Sequence, residues 1–90
     1  YFFHTQWCPH CKTAMPVWEN IKKSNRFKNF SIHFMNVDCD DKKNKALVRK
    51  HNIKEYPSYV LTANGKNYIY DANLSADTLE KFIIAIYKKL

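Results

Sequence analysis

QWCPHCK, residues 6–12, holds two of the chain's three cysteines three positions apart, with a tryptophan in front and a proline and a histidine between. A C-x-x-C spacing serves a redox disulfide, half of a zinc site, or no joint chemistry at all. The flanks discriminate among these. Upstream, YFFHT (1–5) is short, apolar and aromatic, and reads as a strand. Downstream, Ala14, Trp18 and Ile21 are spaced for the buried face of a helix running from Pro9 to about Ser24. Cys8 therefore falls at the join, the N-cap position. Pro9 takes the first helical position, where its missing N–H costs nothing and its fixed φ suits the helix. Pro16, inside the helix, removes the hydrogen bond to the Lys12 carbonyl and predicts a kink rather than an end.

That placement has chemical consequences. The free N–H groups of the first turn, near His10 and Cys11, can donate to the Cys8 sulfur, and with the helix dipole they favour thiolate over thiol. Cys11 shares the helical face of Cys8, within reach of a disulfide. An imidazolium at His10 favours the thiolate further. A steadier thiolate stabilises the reduced pair and makes the disulfide a stronger oxidant, about 30 mV for every 1.4 kcal/mol or so. Pro9-His10 thus predicts a more oxidising pair than a Gly-Pro centre. The competing expectation is a surface histidine that never approaches the sulfur. A tetrahedral zinc site needs four ligands, usually including a second close pair. Only Cys39 remains, with His4, His33 and His51 isolated, so no metal site is expected.

The remaining 78 positions set this pair in a fold (90 residues less the 12 up to Lys12). FSIHFMNV (30–37) reads as a second strand, apolar on both faces in places, as a central strand covered by helices would be. A loop and a short helix centred on Ala46, Leu47 and Val48 follow. Two β-rich runs then flank Asn64-Gly65, a dipeptide that accepts positive φ at both turn positions and so predicts a hairpin. Ser75 is a suitable N-cap for a last helix, Asp77 favours its positive end, and Leu74 and Leu79 stand where a hydrophobic staple places them. Leu79, Phe82, Ile83, Ile86 and Leu90 form its apolar stripe. The order strand, helix, strand, helix, hairpin, helix favours a parallel first pair and a mixed sheet between helices.

Composition bounds the rest. Hydrophobic residues at 46 % and aromatics at 16 % describe a chain that folds, in one domain over 1–90. No apolar run is long enough for a membrane-spanning helix. Fifteen Lys and Arg against eight Asp and Glu give +7, yet the lysines are scattered over helix faces with no aromatic-interleaved stripe. Nucleic acid is not an expected partner.

At this point the sequence resembles the thioredoxin superfamily, closer to thioredoxin and protein disulfide isomerase domains than to glutaredoxins. WCPHCK matches the family's WCxxCK motif, and Pro16 stands where the family has a helix-kinking proline. NVDCD resembles a strand-end N-x-D, HNIKEYPSYVL resembles the segment that carries a cis-proline, and ANGK and NLSADTLEKFI match the hairpin and last helix. The resemblance covers the chain in order. It implies a thioredoxin-like three-layer α/β fold, a central mixed β-sheet flanked by helices, with an N-terminal strand and helix upstream of Tyr1. It further implies a monomeric protein thiol–disulfide oxidoreductase that needs no bound cofactor, acting on protein dithiols and disulfides with an upstream redox partner. Cys8 is then the exposed nucleophile and Cys11 the buried resolving thiol. Pro57 follows Tyr56 through a cis peptide bond, Tyr56 presents its backbone to the substrate, and Trp7 walls the groove. Two positions depart from the family. The buried acid that accepts the resolving thiol's proton is Phe2 here, and a nearby strand lysine is Phe34. Cys11 must therefore lose its proton to water, His10 or another group, which predicts a slower reductase. A thioredoxin-like binding or chaperone module is the alternative function, and Cys39 reads as a bystander.

Overall fold

Phe2 and Phe3 are both fully buried. Successive side chains leave a strand on opposite faces, so these two neighbours seed two separate cores. The computed structural model describes residues 1–71 and 75–90. Its elements are β1 (Phe2–His4), α1 (Pro9–Lys22), β2 (Asn36–Asp38), α2 (Lys45–Lys50), β3 (Ser58–Ala63), β4 (Lys66–Tyr70) and α3 (Ala76–Tyr87). Single 3-10 turns occupy Asn25–Phe27 and Lys42–Asn44. The four strands lie in the order β2-β1-β3-β4. β1 is parallel to β2 and antiparallel to β3, and β3 is antiparallel to β4.

The larger core packs α1 and α3 on the Phe2 side and gathers Ala14, Trp18, Ile21, Phe27, Tyr59, Tyr70, Leu79 and Ile83. Phe2 stacks on Trp18 and on Tyr59, with ring centroids 5.2 and 5.3 Å apart. The Trp18 indole N–H is satisfied by Asn36 Oδ1 at 2.6 Å, which ties α1 to β2. Removing an aromatic side chain from such a core costs about 3–5 kcal/mol. The smaller core, Phe3, Val37 and Val60, is closed by Leu47 and Val48 of α2. Helices on both faces of a mixed sheet make the three-layer α/β architecture expected from the motif order.

Local signals account for most boundaries. Asn64 and Gly65 turn the β3–β4 hairpin with φ of 52° and 77°. Ser75 caps α3, its Oγ accepting the Thr78 N–H at 3.1 Å. α1 continues through Pro16 to Lys22. The expectation over 30–37 needs correction: the strand is confined to Asn36–Asp38, and β2 lies at the edge of the four-stranded sheet rather than inside it. Ile32 and Phe34 do pack on the larger core. Their alternation reflects burial; just ahead of β2, the Met35 carbonyl accepts the Phe2 N–H at 2.8 Å. Leu90, counted in the α3 stripe, lies beyond the helix end and is exposed. The staple at Leu74 falls outside the described residues.

Candidate active site

Three segments meet at the start of α1. Cys8 is the N-cap, in extended conformation, and Pro9 opens the helix. The Cys8 Sγ accepts the Cys11 N–H at 3.2 Å. Its own thiol donates toward the Tyr56 carbonyl at 3.5 Å, joining the helix start to the loop before β3. The Tyr56–Pro57 peptide bond is cis. Trp7 is 66 % exposed, and its ring lies nearly perpendicular to that of Tyr56, with centroids 5.8 Å apart. All three cysteines are free thiols.

Exposure distributes differently from the sequence expectation. Cys8, expected to be exposed, is only 4 % accessible, little more than Cys11 at 2 %. The Tyr56 carbonyl lies 3.5 Å from its sulfur. His10 is exposed and makes no hydrogen bond to either sulfur. Burial pushes the Cys11 thiol up to about 11, reinforced by its hydrogen bond with Cys8 and offset in part by the Thr5 backbone N–H. Burial does the same to Cys39, again to about 11. Cys39 is half-buried against the smaller core, its N–H bonded to the His4 carbonyl at 2.8 Å.

Below the pair, the Phe2 position is sealed by rings. Tyr59 lies beside it in register on β3. Burial holds the Tyr59 phenol protonated, and its hydroxyl has no hydrogen-bond partner among the described residues. On the other flank, Cys11 borders an open cleft of about 410 Å³ whose remaining wall is His4, Thr5, Gln6, Lys12, Met15 and Pro16. Reasoning from sequence counted His4 only as an isolated metal ligand and passed over Thr5. Strand alternation puts His4 on the face of Phe2, two residues nearer the helix, and that was the available signal. Among the described residues no group of three or more His, Cys, Asp or Glu is placed to hold a metal ion. No helix there is long and apolar enough to cross a membrane.

The thioredoxin family profile matches residues 2–85, nearly the whole chain. The chain belongs to the thioredoxin family. It is 30 % identical over 88 residues to a thioredoxin domain-containing protein of Theileria parva, covering 96 % of this chain and 37 % of that protein. It is also 30 % identical over 69 residues to a protein disulfide-isomerase of Hordeum vulgare, covering 77 % of this chain and 14 % of that one. The chain thus spans well under half the length of these relatives. Among solved structures, the J-Trx1 fragment of ERdj5 superposes with a TM-score of 0.81 at 23 % identity, over 96 % of this chain and 39 % of that one, a likeness of fold. The thioredoxin-family domains it resembles place it in a thiol–disulfide oxidoreductase family.

Proposed function

We propose that this thioredoxin-family domain, a single unit over residues 1–90, exchanges disulfides with protein substrates through Cys8 and Cys11. One observation carries the reading: the Cys8 sulfur sits at a helix start, taking the Cys11 N–H at 3.2 Å, against the carbonyl that precedes the cis proline. Donors at a helix N-terminus favour the thiolate, the attacking form. The Cys8 thiolate attacks a substrate disulfide, forming a mixed disulfide and releasing one substrate thiolate. Cys11, as thiolate, then attacks the Cys8 sulfur, forming the internal disulfide and releasing the second substrate sulfur reduced. Run backwards, the same steps oxidise a substrate dithiol. Trp7 and Tyr56 supply apolar contact for an extended substrate beside Pro57, and an upstream partner resets the pair. Resemblance to proteins named protein disulfide-isomerase supports substrates of this class. Pro9 starts the helix. An exposed His10 adds cationic character near Cys8 when protonated, favouring the reduced pair and so a couple more oxidising than thioredoxin.

Cys11→Ser decides the reading. Mixed with an unfolded protein carrying disulfides, this variant accumulates an adduct at Cys8 that dithiothreitol releases, whereas the parent chain does not. Absence of the adduct overturns the exchange mechanism. The near-complete burial of Cys8 favours one rival, a binding module of the same fold. That module keeps its client when both cysteines are serine, and an exchange enzyme loses it. Equilibration with glutathione tests direction: a couple as reducing as about −270 mV removes the assigned effect of His10.

A further inference from the structure

The thiolate, not the thiol, is the attacking form of a cysteine. Burial pushes the Cys11 thiol up to about 11, so Cys11 holds its proton near neutrality. Something must take its proton. Toward the core, the Tyr59 phenol is held protonated by burial. Toward the cleft the choice narrows quickly. Lys12 is an ammonium and donates only. Met15 and Pro16 have no exchangeable side-chain proton, and Gln6 is bonded to Asp38 Oδ2 at 3.3 Å. The Thr5 hydroxyl is buried away from solvent and lacks a hydrogen-bond partner among the described residues, so it takes up no proton from the cleft. His4 is half-buried, stacked on Phe2 with ring centroids 5.2 Å apart. It carries the one imidazole in this wall, a group that accepts a proton at a ring nitrogen and can return it. The charged and titratable groups around it are Cys11 and Lys12 from α1, Asp38, its register partner on β2, and Cys39 just beyond.

We propose that His4 is the proton acceptor for Cys11, reached through water in the cleft that both residues line. The inference rests on the exchange mechanism above. In the resolving step the Cys11 proton passes to water and the water's proton to the His4 imidazole. The Cys11 sulfur bonds to the Cys8 sulfur as the Cys8–substrate bond breaks, and the substrate leaves as thiolate. The internal pair is oxidised and the substrate disulfide reduced. In the opposite direction the imidazolium returns the proton to the departing Cys11.

Reduced chain in a Cys39→Ser background is mixed with oxidised glutathione and acid-quenched at intervals, and the Cys8–glutathione adduct and the internal disulfide are counted by mass. Resolution of the adduct in the parent chain is expected to rise with pH and then level off once the acceptor is neutral. His4→Phe keeps a ring stacked on Phe2; it is expected to slow resolution about a hundredfold at pH 7 and abolish the levelling, with adduct formation unchanged. In His4→Ala, added imidazole is expected to restore the rate. A parent rate climbing tenfold per pH unit through pH 9 overturns the assignment without any variant, and so does a His4→Phe profile that matches the parent. An adduct that forms and resolves without regard to His4 sinks this proposal alone. If no adduct forms even with Cys11→Ser, the exchange mechanism falls with it.

Discussion

α1 and α3 begin with the same geometry and different atoms. Each N-cap residue is extended and accepts the backbone N–H three residues on, Cys8 from Cys11 at 3.2 Å and Ser75 from Thr78 at 3.1 Å. At α3 the acceptor is an exposed hydroxyl, and Asp77 in the first turn meets the positive end of the helix. At α1 the acceptor is a buried sulfur, Pro9 follows, and the first turn contains no acid. The same unsatisfied N–H groups thus meet a hydroxyl at one site and a sulfur at the other. A cap contributes stability whichever atom accepts; it supports chemistry only where that atom is a nucleophile and no carboxylate competes for the field.

Exchanging the caps' roles tests this most severely at Cys8. Serine there remains a good cap, so Cys8→Ser is expected to unfold within about 0.5 kcal/mol of the parent in urea while disulfide exchange falls below detection. Equal losses of stability and exchange would mean that the sulfur holds the helix in a way a hydroxyl cannot. Ser75→Ala is the mirror case: about 1 kcal/mol less stable by the same titration, with exchange unchanged per folded molecule. The smallest effect is expected at Asp77. Its hydrogen bond with Lys81, and then the charges of Lys81 and Arg26, hold this carboxyl below the usual carboxylate range. A lowered native value means that its stabilisation is present above about pH 4, the unfolded range, and fades as acid protonates the folded form. Thermal melts of Asp77→Asn should therefore fall slightly below the parent at pH 7 and converge with it below pH 4. A gap that persists in acid would assign the effect to packing.

Legibility in the sequence followed the range of each interaction. Asn64-Gly65, Ser75 and the Cys8–Pro9 start are decided by backbone geometry within a few residues, and the structure has each in place. The stretch Phe30–Met35 misled because alternating apolar residues signal burial, and burial does not require a strand's hydrogen-bond ladder. Cys8 read as exposed because the carbonyl beside its sulfur belongs to Tyr56, 48 residues away in the chain. The His4 cleft was hidden for the same reason: it exists only where the end of β1 meets the first two turns of α1.

β1 is three residues long, and its consecutive phenylalanines serve opposite cores. A slip of one position against its neighbours would send each ring to the wrong side of the sheet. The strand is also gripped from both sides, by β2 in parallel and by β3 in antiparallel register. It works as a gauge block: once Phe2 and Phe3 are seated, the number of residues to Cys8 is fixed, and the sulfur arrives opposite the Tyr56 carbonyl by counting.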